Sequence, residues 1–111
     1  MLRELLMARY SLYLDDERNP KTDRKFSICR TMDEARDMVV EYGFPEYISF
    51  DHDLGDGIPT GFDFAKWLVD HDLDTNTMPH NFTFNVHSAN PSGVANIQGL
   101  LDHYMEYKTI G

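Results

Sequence analysis

Asp15-Asp16, Asp51-His52-Asp53 and His87-Ser88 are three short polar bursts, each following a run of strand-forming residues. Together they hold the side chains that phosphate chemistry needs. The carboxylates of Asp15, Asp16, Asp51 and Asp53 suit a hard divalent cation with oxygen ligands, magnesium by default and manganese as the alternative. Clustered carboxylates repel one another unless a cation or proton intervenes, so Asp15-Asp16 with Asp51 reads as a metal site. Any one of these Asp residues alone has a plainer use as a turn or helix cap. His52 and His87 are the candidate base and acid for opening a phosphoester, since an imidazole exchanges protons near neutral pH. The plainer use of each is a hydrogen bond inside a loop, or a bond to a softer metal. Ser88 can bind a phosphoryl oxygen or cap its turn. Asn90 suits the cap of a helix whose free amides favour an anion. Arg18 can fork a phosphate or pair with the acidic loop. His71, His80 and His103 are read as inert, and Trp67 and the phenylalanines as core.

These side chains need strands to bring them together. Tyr10–Leu14, Phe26–Cys29, Tyr47–Phe50 and Phe82–Val86 read as strands. Thr31–Tyr42 reads as a helix. Thr31 and Glu34 make a capping-box pattern, Ala35, Met38, Val39 and Tyr42 a buried stripe, and Gly43 a C-cap. Thr60 opens a second helix with Gly61, Phe64, Ala65 and Leu68 on one face, followed by a polar loop over 72–80. Asn90 and Pro91 start the last helix, with Val94, Ile97, Leu101 and Tyr104 inward. Strands alternating with helices imply a mainly parallel α/β sheet covered on both faces. Ligands of such sheets bind outside the carboxyl ends of the strands, where the three polar bursts lie. The spacing fits no nucleophilic triad, cysteine-rich zinc pattern, Walker loop or dinucleotide fingerprint.

The chain of 111 residues suffices for one core. Residues 1–9 read as an N-terminal extension, with Met7 a possible start, and residues 10–111 as the domain. A net charge of −9 argues against a broad nucleic-acid surface, though a bound cation can reverse the sign locally for one phosphate. Cys29 is the lone cysteine, which excludes an internal disulfide and fits a reducing, cytoplasmic setting. No apolar run is long enough to cross a bilayer.

Asp15-Asp16 after the first strand, Asp51 after the third, Gly61, and Ser88-Ala89 after the fourth resemble the receiver superfamily. There they look like the metal-binding pair, the phosphoacceptor, the loop glycine and the Ser/Thr-Ala step. The resemblance implies a three-layer, flavodoxin-like fold with strand order 2-1-3-4. A polar loop stands where receivers place their first helix. The fifth strand and its active-site lysine have no counterpart, since Lys108 lies in the tail without the motif. Leu14-Asp15-Asp16-Glu17-Arg18-Asn19-Pro20, Phe50-Asp51-His52-Asp53-Leu54-Gly55 and Val86-His87-Ser88-Ala89-Asn90 resemble a smaller group, the cyclic-phosphate-processing receiver domains. That resemblance implies a metal- or histidine-assisted reaction on a cyclic phosphate, in a nucleotide or at an RNA end. The expected catalytic set is His52, His87 and Asp51, with Arg18, Ser88 and Asn90 on the substrate. The alternative is a phosphorylation or protein-interaction switch with no hydrolytic activity.

Overall fold

The computed structural model describes residues 10–110, so the expected extension over 1–9 and the reading of Met7 lie outside the described residues. Strands β1 (Ser11–Leu14), β2 (Ser27–Cys29), β3 (Tyr47–Phe50) and β4 (Thr83–Val86) form one sheet. All pairings are parallel, in the order β2-β1-β3-β4. Helices α1 (Met32–Tyr42), α2 (Gly61–Thr75) and α3 (Pro91–Ile110) complete a receiver-like α/β fold. Among the described residues no fifth strand follows, and β4 is an edge of the sheet.

Side chains alternate across a strand, so residues two apart share a face. One face carries Leu12, Leu14, Ile48 and Phe50, all fully buried with Ala35, Val39, Phe64, Leu68, Ile97 and Leu101 of the helices. Each such side chain contributes about 1.5–3 kcal/mol by leaving water, which makes this face the main source of stability. The helices pack side by side over it, α1 on α2 and α2 on α3. The other face carries Tyr13, Ser49 and Asn85 at one level, since Tyr13 is in register with Ser49 and Ser49 with Asn85. The loop between β1 and β2, rather than a helix, forms the third layer here. Phe26 packs on Tyr13 and Tyr47, at 5.4 and 6.0 Å between ring centres. The Arg24 guanidinium lies 4.0 Å over the Tyr47 ring, and its Nε donates to Ser11 Oγ at 3.0 Å. The expectation of cover on both faces therefore holds, with the second cover made by a loop.

The local signals need three corrections. Thr31 Oγ1 accepts from the Glu34 amide at 3.1 Å, but Glu34 accepts from the amide of Arg30, so only half the capping box forms there. The complete box belongs to Thr60 and Asp63 at the start of α2. Tyr42 is exposed, because the chain turns at Gly43 (φ 95°) and folds Phe44 into the core instead. Finally, α2 runs through Thr75 and ends on Asn76 in the left-handed conformation, so part of the expected loop over 72–80 is helix.

Asp72 explains that extension. Its buried carboxylate accepts from Tyr104 Oη at 2.6 Å, Lys108 Nζ at 2.5 Å and the Met78 amide at 2.7 Å. It thus ties the last turn of α2 to α3. Burial alone would raise the Asp72 pKa, but Lys108, Tyr104 and the Met78 amide together bring it below the ordinary 3.8. A carboxylate whose folded pKa is depressed stabilises the fold above its unfolded pKa. That contribution is lost as pH falls through the lower folded value. Tyr104→Phe is expected to cost about 1.5–3 kcal/mol in urea denaturation at neutral pH. The gap to the parent chain should narrow as pH falls through that lowered folded value, where Asp72 takes up its proton.

Candidate functional site

Because positions i and i+2 share a face, Asp15, Asp51 and His87 follow Tyr13, Ser49 and Asn85 onto the loop-covered side, one level nearer the carboxyl edge. The next ladder hydrogen bonds hold them there: the Asp15 amide to Cys29 O at 3.1 Å, Asp51 to Leu14 O at 2.8 Å, and His87 to Phe50 O at 2.9 Å. The result is a cluster in which one ligand atom from each of the three residues lies within 4.8 Å of the others. Asp15 is 1% exposed and Asp51 6%.

Every acceptor position of Asp15 is used. Oδ1 accepts from the amides of Glu17 and Arg18, both at 2.9 Å. Oδ2 accepts from Arg18 Nε and His87 Nε2, both at 3.0 Å. Burial pushes the Asp15 pKa up, but these donors outweigh it and hold the carboxyl below its ordinary value. Since Asp15 only accepts, His87 donates to it from Nε2, while Nδ1 and the Ser49 hydroxyl share a hydrogen bond at 2.7 Å. The His87 ring stacks on Tyr13 at 4.6 Å with planes 2° apart. Arg18 spans the two buried carboxylates, its second contact being 3.5 Å to Asp51 Oδ2.

Above this cluster opens a cleft of about 420 Å³. Asp15, Asp16, Glu17, Asp51, Asp53 and Asp56 line it with Arg18 as the single cation, and Ser88 and Ala89 close one side. Six carboxylates against one guanidinium would repel a phosphate. The donors fit a divalent cation: two carboxylate oxygens and one imidazole nitrogen from three strand ends, with Asp16 and Asp53 at the rim. To ligate through Nε2, His87 must move its proton to Nδ1, and Ser49 is placed to accept it there.

The structure brings Asp15, Asp16, Asp51, Asp53, Arg18 and Ser88 to the cleft, and His87 to the two buried aspartates from outside its lining. It does not place His52 opposite His87. One residue beyond Asp51, His52 turns to the helix side and packs on Gly93 of α3, where a Cβ would overlap its ring. Its Nδ1 pairs with Asp53 Oδ1 at 2.9 Å. Asn90 is the cap of α3, accepting from the Gly93 amide at 3.1 Å, and its Nδ2 points at Asp53. Ser88 Oγ accepts from the Asn90 amide at 3.1 Å. His71 stacks on Trp67, away from the cleft.

Two site residues went unread in the sequence. Arg30 holds the loop after β1 by donating to Asp15 O, Arg18 O and Asn19 Oδ1. It ends β2 as the aspartates end β1 and β3, so the same strand-end argument finds it. Ser49 lies two residues before Asp51, and strand alternation alone puts it beneath the cluster.

A family sequence model described as cyclic-phosphate processing receiver domain matches residues 10–103. No curated protein and no solved structure matches the chain significantly.

Proposed function

The chain belongs to the cyclic-phosphate processing receiver domain family, and on that premise we propose that it is a divalent-cation-dependent phosphoesterase opening a cyclic phosphodiester. Asp15, Asp51 and His87 hold the cation, with Asp16 and Asp53 reaching it from the rim. When bound, magnesium or manganese supplies charge neutralisation and polarises the phosphoryl group. The chain's own side chains do the rest. Arg18, relieved of the two carboxylates, turns its guanidinium to the phosphate as a bidentate donor. The Ser88 hydroxyl donates to a second phosphoryl oxygen. His52 acts on the site through Asp53, whose Oδ1 its Nδ1 meets at 2.9 Å, and packs on Gly93 rather than facing the cleft. His87, occupied at both nitrogens, is a ligand and not an acid or base.

The observation that carries this reading is the convergence of Asp15, Asp51 and His87 ligand atoms within 4.8 Å, with Asp15 and Asp51 lining a cleft in which Arg18 is the one cationic side chain among the described residues. Its test is turnover of a panel of 2′,3′-cyclic and 3′,5′-cyclic nucleotides by the pure protein with magnesium or manganese. Turnover of at least one panel member, abolished by chelation, is expected. Absence of turnover of every member at high enzyme concentration would reject hydrolysis.

A second reading is supported by Asp51 itself, whose carboxylate stands at the end of central strand β3 with Arg18 at 3.5 Å as its ion-pair partner. In that reading Asp51 accepts a phosphoryl group and the domain signals to a protein partner. Acetyl phosphate or beryllofluoride would then shift the amides around Asp51 and Ser88, without turnover of any cyclic phosphate.

A further inference from the structure

The loop that stands in place of a helix on this sheet face leaves a second cleft of about 290 Å³ beneath it. This is near the lower end of small-molecule sites, roughly 300–1,000 Å³. Its walls are the rings of Tyr13, Phe26 and Tyr47, its floor carries Ser49 and Asn85, and Lys21 stands at its mouth. Arg18 lines both this cleft and the acidic one. His87 also faces it, while its Nε2 belongs to the Asp15–Asp51 cluster. The two spaces thus share Arg18, and His87 reaches from the second cleft to the carboxylates that line the first. His87 already stacks on Tyr13 and the Arg24 guanidinium on Tyr47, so a flat heterocycle would take the place of Arg24 on the Tyr47 ring, since stacking needs only a π-face. The Asn85 amide, exposed and on the floor of the cleft, offers both a donor and an acceptor to a base edge. Lys21 adds to this side a positive charge beyond the Arg18 that the two clefts share.

We propose that this cleft binds the nucleobase of a nucleoside cyclic phosphate whose phosphate lies in the acidic cleft. The substrate class is then nucleotidic and not a simple cyclic phosphodiester. The inference rests on the phosphoesterase reading for the position of the phosphate but not for the base site itself. The same terminal chemistry occurs in a free nucleotide and at an RNA end, and Asn85 and the three rings would meet either one.

The test is a titration of the full chain, in magnesium, with inorganic phosphate, adenosine and adenosine 2′,3′-cyclic phosphate, followed by backbone amide shifts. Adenosine should move Tyr13, Ser49 and Asn85. The cyclic nucleotide should move these and the acidic cleft, and should bind roughly tenfold or more tighter than phosphate. Asn85→Ala, an exposed position that leaves the core intact, should remove most of that gain and leave phosphate affinity unchanged. Tyr47→Ala should weaken nucleotide binding roughly tenfold to a hundredfold. A short RNA ending in a 2′,3′-cyclic phosphate separates the two sources, and tight binding of either one sustains the inference. Nucleotide binding no tighter than phosphate, with shifts confined to the acidic cleft, would overturn the base site and leave the phosphoesterase reading standing. Adenosine shifts without any phosphate binding would sustain the base site and overturn the phosphoesterase. Silence to all three ligands would overturn both.

Discussion

Exchanging Asp51 for asparagine is expected to lower divalent-cation affinity by roughly a hundredfold or more while leaving the apo protein at least as stable as before. Groups standing behind metal ligands already cost roughly 10- to 100-fold when removed, so loss of a ligand itself costs at least the upper end of that range. Stability should respond the other way. Asp15 and Asp51 are two buried carboxylates in one cluster, with Arg18 shared between them. Neutralising one relieves their repulsion, an effect of about 1 kcal/mol once Arg18 and solvent have screened it. Asp15→Asn is the contrasting case. Its amide nitrogen would confront either the Glu17 and Arg18 amides or Arg18 Nε and His87 Nε2, so it should lose both stability and affinity. Thermal melts with and without magnesium separate the two variants. The parent chain should gain in melting temperature with cation concentration. Asp51→Asn should melt at or above the parent's cation-free temperature and gain nothing from magnesium. A destabilised Asp51→Asn variant that still responds to cation would contradict the assignment of Asp51 as a ligand.

Gly61→Ala is expected to damage the fold and the site together. Gly61 opens α2, and its amide donates to His52 O at 2.8 Å. A methyl group there would lie inside the carbonyl oxygen of Asp51, a backbone atom with no rotamer to yield. Either the start of α2 lifts or the chain after β3 shifts, and the second outcome moves Asp51 out of the cluster. Overpacking of this kind typically costs about 1–3 kcal/mol, and a backbone obstacle puts this case at the upper end. Urea denaturation measures the loss. Gly99→Ala, where no atom lies near the added methyl, is the control and should be neutral or mildly stabilising.

The fold was largely legible because its signals are local. Tyr10–Leu14, Tyr47–Phe50 and Phe82–Val86 read as strands to within one residue of their observed starts. The Thr60 and Asn90 signals start helices where the structure has them. The acidic cluster was legible for a further reason: parallel strands carry their carboxyl ends to one edge, so Asp15, Asp51 and His87 converge despite their separation in sequence. What sequence reading missed came from tertiary context. The end of α2 depends on Asp72 meeting Tyr104 and Lys108 from α3, a contact with no local signature. The fate of Arg18 depends on a loop turned by the Asp15 carboxylate and pinned by Arg30. The separation of His52 from His87 was readable in principle. A residue one step past Asp51 faces the helices, whereas His87, two past Asn85, stays on the face of the cluster.

The central claim is that three strand ends make one cation site, and a paramagnetic titration addresses it most directly. Manganese added to isotope-labelled full-length protein should broaden the resonances of Asp15, Asp16, Asp51 and His87 first and saturably, with excess magnesium restoring them. Broadening spread over the acidic surface without saturation, or centred on residues remote from His87, would contradict it.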